Sequence, residues 1–165
     1  MHFSDFDPDD FLAKHWQCKA LVLRAALAPE FFTLTPEELA GLACEDEADG
    51  IESRIITNSD NDWHLHQGPF NADFFQTLGN SHWTLLVQRV DQLLPELAAL
   101  QECVDFIPGW RFEDIMVSYA TRGGDVGPHF DRYDVFLVQG RGQRRWQIGQ
   151  TCDESTPLRE RCELS

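Results

Sequence analysis

The sequence predicts an α+β fold in which a helix-and-strand segment leads into an antiparallel barrel or jelly roll. Three observations carry this. From Trp110 onward the chain reads strand, turn, strand, turn, strand, the pattern of an antiparallel sheet that closes on itself. Two helix starts with proline at the first helical position, at Asp7-Pro8 and Thr35-Pro36, mark the N-terminal part as helical. The 165 residues, 42% of them hydrophobic, suit one domain with a real core.

Taken in order, Asp7 is a good N-cap and predicts a short helix through His15 and Trp16, followed by a strand near Ala20 to Leu23. Thr35-Pro36-Glu37-Glu38 is a capping box, so a helix runs to about Cys44. Glu45 to Gly50 is an acidic loop. Ile51 to Thr57 and Asp62 to His66 read as two strands joined by an Asn/Asp/Ser turn. His64 and His66 could face one side of a strand, but no third ligand follows at useful spacing, so they read as surface or packing residues. Trp83 to Gln88 is a buried strand. Val90, Leu93, Leu94, Leu97 and Leu100 fall at helical spacing and predict an amphipathic helix to Cys103, kinked or split at Pro95. Trp110 marks a turn, and Ile115 to Tyr119 is a strand leading to the glycines at 123, 124 and 127.

The chemistry concentrates after those glycines. His129-x-Asp131 places an imidazole and a carboxylate on the same side of an extended chain, because side chains alternate with period two. Such a pair supplies two corners of the facial triad that holds non-haem Fe(II) and leaves positions open. The tripeptide alone is a weak signal, since any strand can carry it. Tyr133 to Gln139 then reads as a buried strand, Gly140-Arg141-Gly142 as a turn, and Gln143 to Gly149 as the returning strand of a β-hairpin. Arg144, Trp146 and Ile148 share one face of it. A cation on an apolar face needs an anion, and a guanidinium suits a carboxylate through two parallel hydrogen bonds. A solvated hairpin end is the plainer reading of Arg144 and Arg145.

The formal net charge of −15 disfavours a nucleic-acid-binding surface and makes a basic partner plausible. The acidity is concentrated in residues 1–62, with fourteen Asp and Glu against four Lys and Arg. Simple solubility is the plainer reading of it. Five cysteines (Cys18, Cys44, Cys103, Cys152 and Cys162), odd in number and with no C-x-x-C, suit a reducing cytoplasmic setting. Neither a signal peptide nor a bilayer-spanning run is visible, and no membrane partner is expected.

The run from Trp110 to Trp146 resembles the JmjC-type cupin core of the bacterial ribosomal oxygenases, the Fe(II)/2-oxoglutarate-dependent protein-arginine hydroxylases. Its most specific part is Gly127-Pro128-His129-Phe130-Asp131-x-Tyr133-Asp134-Val135-Phe136. Similar pieces occur earlier, at His15-Trp16-Gln17, Glu38 to Ala43, Gly68-Pro69-Phe70 and Trp83 to Gln88. The resemblance implies a double-stranded β-helix, incomplete at the C-terminus, with an N-terminal α/β segment over 1–109, the start of the cupin core over 110–150 and a polar tail or truncation end over 151–165. It implies that His129 and Asp131 bind Fe(II) and that Arg144 binds the distal carboxylate of 2-oxoglutarate. Met116 and Ser118 would line the cosubstrate or substrate pocket, and Tyr133 and Asp134 would position the substrate side chain. The implied reaction hydroxylates the β-carbon of an arginine in a basic protein of the large ribosomal subunit, and full-length members are expected to be homodimers.

The sequence departs from that pattern in one respect. The family's third ligand is a downstream histidine, and no histidine follows Asp131 in these 165 residues. The expectation is therefore a barrel with unpaired edges that self-associates, holds iron weakly and turns over oxoglutarate slowly or not at all. Two other classes stay open: an inactive cupin remnant acting at most as a binding module, and a small-molecule cupin enzyme that does not use 2-oxoglutarate.

Overall fold

The computed structural model describes residues 3–28, 32–46, 50–60, 62–149 and 156. Its centre is a four-stranded antiparallel sheet: β1 (Glu52–Ser59), β2 (Asp62–Gln67), β3 (Trp83–Gln88) and β4 (Val117–Ala120), in the order β2-β1-β3-β4. β1 and β2 form the expected hairpin, paired from Arg54 with Gln67 to Ser59 with Asp62. The register gives the sheet two distinct faces. Leu85 lies opposite Ile55 on one side and Tyr119 on the other, while Leu86 lies opposite Arg54 and Ser118. Because alternate residues face opposite ways, the Ile55–Leu85–Tyr119 row looks toward the helices and the Arg54–Leu86–Ser118 row looks away from them.

The helical side is the core. Leu39, Ala43, Ile51, Ile55, Phe70, Leu85, Val87, Val90 and Leu97 form one buried cluster. Fully burying a Leu, Ile or Val is worth roughly 1.5–3 kcal/mol, so four residues at 0–1% exposure (Ile55, Leu85, Val87 and Val90) dominate the sheet's stability. Helix α2 (Pro36–Leu42) contributes Leu39 and Ala43. Its start is the capping box expected from the sequence: Thr35 Oγ1 accepts from the Glu38 amide at 3.2 Å, and the Glu38 carboxylate accepts from the Thr35 amide at 2.8 Å. Helix α1 (Pro8–Lys14) starts at Asp7, whose carboxylate accepts from the amides of Asp9 and Asp10. It buries no residue of its own and instead joins an aromatic cluster of Phe6, Phe11, Trp16, Phe106 and Phe136. Helix α3 (Ala72–Thr77) is capped by Asn71 and lays Phe74 and Phe75 against Phe70.

Three expectations need correction. Ala20 to Leu23 is not a strand: these residues pair with no other strand, and Leu21 and Val22 are exposed. The amphipathic segment from Val90 to Cys103 is not one helix. A 3₁₀ turn at Val90–Gln92, the four-residue α4 (Pro95–Ala98) and a second 3₁₀ stretch (Ala99–Val104) replace it. The split falls at Pro95, which begins α4 and has no amide hydrogen with which to continue a preceding helix. Arg89 at φ +57° turns the chain off β3, and crossed bonds from the Arg89 amide to Asp114 and from the Ile115 amide to Asp91 fix that turn instead.

The third correction concerns Tyr133–Gln139 and Gln143–Gly149, which do not form a hairpin. No residue of either run is in a strand, and Val135, Leu137 and Val138 are about half exposed. Of the predicted strand-turn series after Trp110, only β4 forms among the described residues. A strand is stable when its amides and carbonyls find a neighbouring strand, and no described segment lies in register with this one. The polar tail over 151–165, with Cys152 and Cys162, lies outside the described residues apart from Thr156. Cys18, Cys44 and Cys103 are free thiols, as expected of reduced cysteines.

Candidate metal and anion site

The glycine turn after β4 is seated against the end of the β1–β2 hairpin and the start of β3. Gly124 leaves no room for a side chain, since a Cβ there would stand 2.2 Å from the Trp83 carbonyl oxygen. Gly127 adopts φ +75° with a Cβ position 3.1 Å from the Trp63 ring, so both backbone and space require glycine. Asp125 binds the turn together. Its Oδ1 accepts from Trp63 Nε1 at 2.6 Å and from the Gly127 amide at 2.8 Å, and its Oδ2 accepts from Asn58 Nδ2 at 3.2 Å.

This turn delivers His129 and Asp131. Their side chains meet, with Nε2 of His129 3.8 Å from Oδ2 of Asp131, and both are about 40% exposed. The other ring nitrogen, Nδ1, lies 3.0 Å from the Gly127 carbonyl oxygen. A carbonyl only accepts, so Nδ1 carries the proton in that bond and Nε2 of the neutral ring presents a lone pair toward Asp131. Two cis ligands about 2.1 Å from one ion stand about 3.0 Å apart, so the pair would have to close by somewhat under about 1 Å to share a first-row ion. The donor set therefore fits two positions of a His/carboxylate iron site. Among the described residues, no group of three or more His, Cys, Asp and Glu is gathered as a metal site.

Arg144 is more buried than any other residue of 131–149, and Arg145 beside it is exposed. Its Nη1 donates to Ser118 Oγ at 3.1 Å, on the sheet face that looks away from the helices. Its guanidinium also lies 5.7 Å from the centre of the Trp146 ring. Burial pushes its pKa below the usual arginine value, and no carboxylate among the described residues forms an ion pair with it. A partly buried cation whose partners are a hydroxyl and an aromatic ring is an anion site by its chemistry.

The remaining candidates are arranged more loosely. Asp134 accepts from Gln17 Nε2 at 2.9 Å, which ties the site segment to the chain just after α1. Tyr133 is 62% exposed; partial burial first, and then the neighbouring Asp131 carboxylate, push its phenol upward. Met116 is 46% exposed just before β4. The structure thus brings together His129 with Asp131 and Ser118 with Arg144, while Met116, Tyr133 and Asp134 stand at the periphery. Sequence reasoning missed Asp125, although an Asp two residues before a glycine in a turn is a known local signal, because such side chains bond the backbone two residues on. Trp63 and Asn58 carried no comparable signal, since their role depends on packing of β1 and β2 against a turn about 65 residues away.

Residues 99–165 match the JmjC domain family. The ribosomal protein uL16 3-hydroxylase of Escherichia coli is 42% identical over 141 residues, which is 86% of this chain and 36% of that protein. A probable ribosomal oxygenase of Haemophilus influenzae is 44% identical over 153 residues, covering 92% of this chain and 37% of the relative. The solved structure of the E. coli ribosomal oxygenase YcfD with cobalt and 2-oxoglutarate matches with a TM-score of 0.70 at 37% identity, over 80% of this chain and 35% of that one. By fold, then, the chain is part of a JmjC-type cupin. Within that class it aligns with the N-terminal part of the bacterial ribosomal oxygenases, and it spans a little over a third of the length of the curated relatives.

Proposed function

We propose that this chain carries the metal- and cosubstrate-binding half of an Fe(II)/2-oxoglutarate-dependent dioxygenase that hydroxylates the β-carbon of an arginine in a basic, large-subunit ribosomal protein. The observation that carries the reading is Arg144, a half-buried guanidinium with no ionic partner among the described residues, in the segment that also bears the converging His129 and Asp131. In the relatives, the names specify a hydroxylase of uL16 and a ribosomal oxygenase complexed with cobalt, a common stand-in for iron, and 2-oxoglutarate.

In this reading His129 and Asp131 hold the iron, which when bound supplies oxygen activation coupled to decarboxylation of oxoglutarate. Arg144 takes the distal carboxylate through its fork of donors, with Ser118 fixing the guanidinium and Met116 lining the same side. Tyr133 and Asp134 contact the substrate arginine, where a carboxylate suits a guanidinium. The protein's part is thus binding, orientation and exclusion of water. Residues 1–109 would form the supporting segment, 110–150 the start of the cupin core and 151–165 its continuation. The acidic surface suits a basic ribosomal substrate, and the setting of such a substrate is the cytoplasm. No helix among the described residues is long and apolar enough to cross a membrane.

The test is to incubate the protein with Fe(II), 2-oxoglutarate and arginine-containing peptides of uL16, one of them deuterated at the arginine β-carbon. Slow succinate release, with a peptide mass gain of one oxygen and loss of one β-deuterium in whatever product forms, is the expected result. Oxoglutarate turnover that no ribosomal peptide stimulates would overturn the substrate assignment, and a fully retained β-deuterium in a hydroxylated peptide would overturn the position.

A further inference from the structure

We infer that Asp125 is a positioning residue for the metal-binding histidine: with Trp63 and Asn58 it anchors the start of Gly127, and so the turn whose next carbonyl holds His129 with Nδ1 protonated and Nε2 free to ligate. This rests on the reading of His129 as a ligand, but its first link does not depend on a metal.

The chain of contacts is continuous. Trp63 on β2 donates its indole N–H to Asp125 Oδ1 at 2.6 Å, and the same oxygen accepts from the Gly127 amide at 2.8 Å. Asn58 on β1 closes the other side, giving its Nδ2 protons to Asp125 Oδ2 and the Gly123 carbonyl at 2.9 Å, and accepting the Asp125 amide at 3.3 Å. Gly127 is thus held at its amide by Asp125, with the Trp63 ring on the side where a side chain would stand and a φ of +75° that only glycine takes readily; its carbonyl belongs to the next peptide unit. Its carbonyl oxygen then lies 3.0 Å from His129 Nδ1.

Why this matters for ligation is a question of tautomer. A free imidazole in water divides its proton between the two nitrogens, and only the unprotonated one can ligate. A carbonyl at Nδ1 fixes the choice, as partners of ligating histidines generally do; loss of such a partner typically costs about 10–100-fold in metal affinity. Here the carbonyl belongs to a glycine, a residue with no side chain to anchor its own peptide, so its direction is set from outside. Asp125 is the side chain that anchors the residue carrying it, by holding the Gly127 amide one peptide unit before.

The experiment is 15N NMR of the His129 ring in the metal-free protein at alkaline pH, alongside Co(II) titration followed by its visible spectrum. In the unsubstituted protein the Nδ1-protonated form should predominate. Asp125→Ala should return the ring to the mixture of a free imidazole and weaken Co(II) about tenfold or more. Asp125→Asn, which keeps an acceptor for Trp63 and Gly127, should restore both most of the way. Should Asp125→Ala fail to fold, Trp63→Phe removes the 2.6 Å bond while keeping the ring, and should shift the tautomer in the same direction. An unchanged tautomer in the folded variants would overturn the proposal and leave Asp125 a turn-former only. A shifted tautomer in a protein that never bound Co(II) would support the clamp and sink the metal reading instead.

Discussion

β3 and the run from Tyr133 to Gln139 look alike as sequences, and the chain treats them in opposite ways. Trp83-Thr84-Leu85-Leu86-Val87-Gln88 sits between β1 and β4, with its four middle residues buried. Tyr133-Asp134-Val135-Phe136-Leu137-Val138-Gln139 has the same alternation of aromatic and branched residues, yet every one of its residues is exposed. Hydrophobic content does not make a strand by itself; a hydrogen-bonded neighbouring strand does. The contrast separates a scaffold that completes itself, residues 51–90 with α2, from a site-bearing segment held to it at points. Those points are the Asp125 clamp, the Ser118–Arg144 bond, the Gln17–Asp134 bond and the Arg141 guanidinium on the Phe32 carbonyl at 3.0 Å.

Truncation in the two regions should separate them most sharply. Leu85→Ala, at 1% exposure, should cost about 2–5 kcal/mol in urea unfolding, whereas Leu137→Ala, at 56%, should fall within about 0.5 kcal/mol. Equal costs would mean that the exposed run is buried in solution, and the contrast would fail. Glycine substitutions test the points of attachment. Gly124→Ala drives a methyl onto the Trp83 carbonyl and should cost about 1–3 kcal/mol. Gly41→Ala, in α2 with nothing near its Cβ position, should instead stabilise by about 0.5–1 kcal/mol. Opposite signs in the same melting series are the expected signature.

A smaller effect probes the scaffold's edge. Thr35→Ala should cost about 1 kcal/mol by opening the capping box. The Thr35 amide and hydroxyl hold the Glu38 carboxylate below its usual pKa. A carboxyl lowered on folding gives stability that is present above its unfolded pKa and is lost as pH falls through the folded one. Glu38→Gln should therefore lower stability slightly at neutral pH, leave it unchanged below the folded pKa of Glu38, and so flatten the acid limb of the stability profile. A flattened limb above the ordinary glutamate range would contradict the assignment.

What was legible in the sequence follows the same division. The Asp7 and Thr35 caps and the β1–β2 hairpin are local devices, and each formed where its residues predicted. In Val90 to Cys103 the split at Pro95 was legible, but the 3₁₀ pieces on either side and the left-handed Arg89 were not, because that turn is fixed by bonds between the Arg89–Asp91 and Asp114–Ile115 segments. Ala20 to Leu23 and the 133–149 hairpin were misread because pairing is non-local, and no property of those residues reports whether a partner strand is present. At the site, the H-x-D spacing announced two convergent side chains without announcing their support, since Trp63 and Asn58 reach Asp125 only once β1 and β2 are folded. Arg144 was singled out over Arg145 by its place in the alternation, and it is the half-buried one of the two.

The most direct measurement is a titration of the 165-residue chain with Mn(II), followed by electron paramagnetic resonance, with and without 2-oxoglutarate. If His129 and Asp131 are ligands and Arg144 is the anion site, Mn(II) binds weakly but saturably, and oxoglutarate tightens it. Asp131→Asn abolishes metal binding, while Arg144→Ala leaves metal binding intact and removes the oxoglutarate effect. Metal binding unchanged in Asp131→Asn, or an oxoglutarate effect that survives Arg144→Ala, would contradict the site.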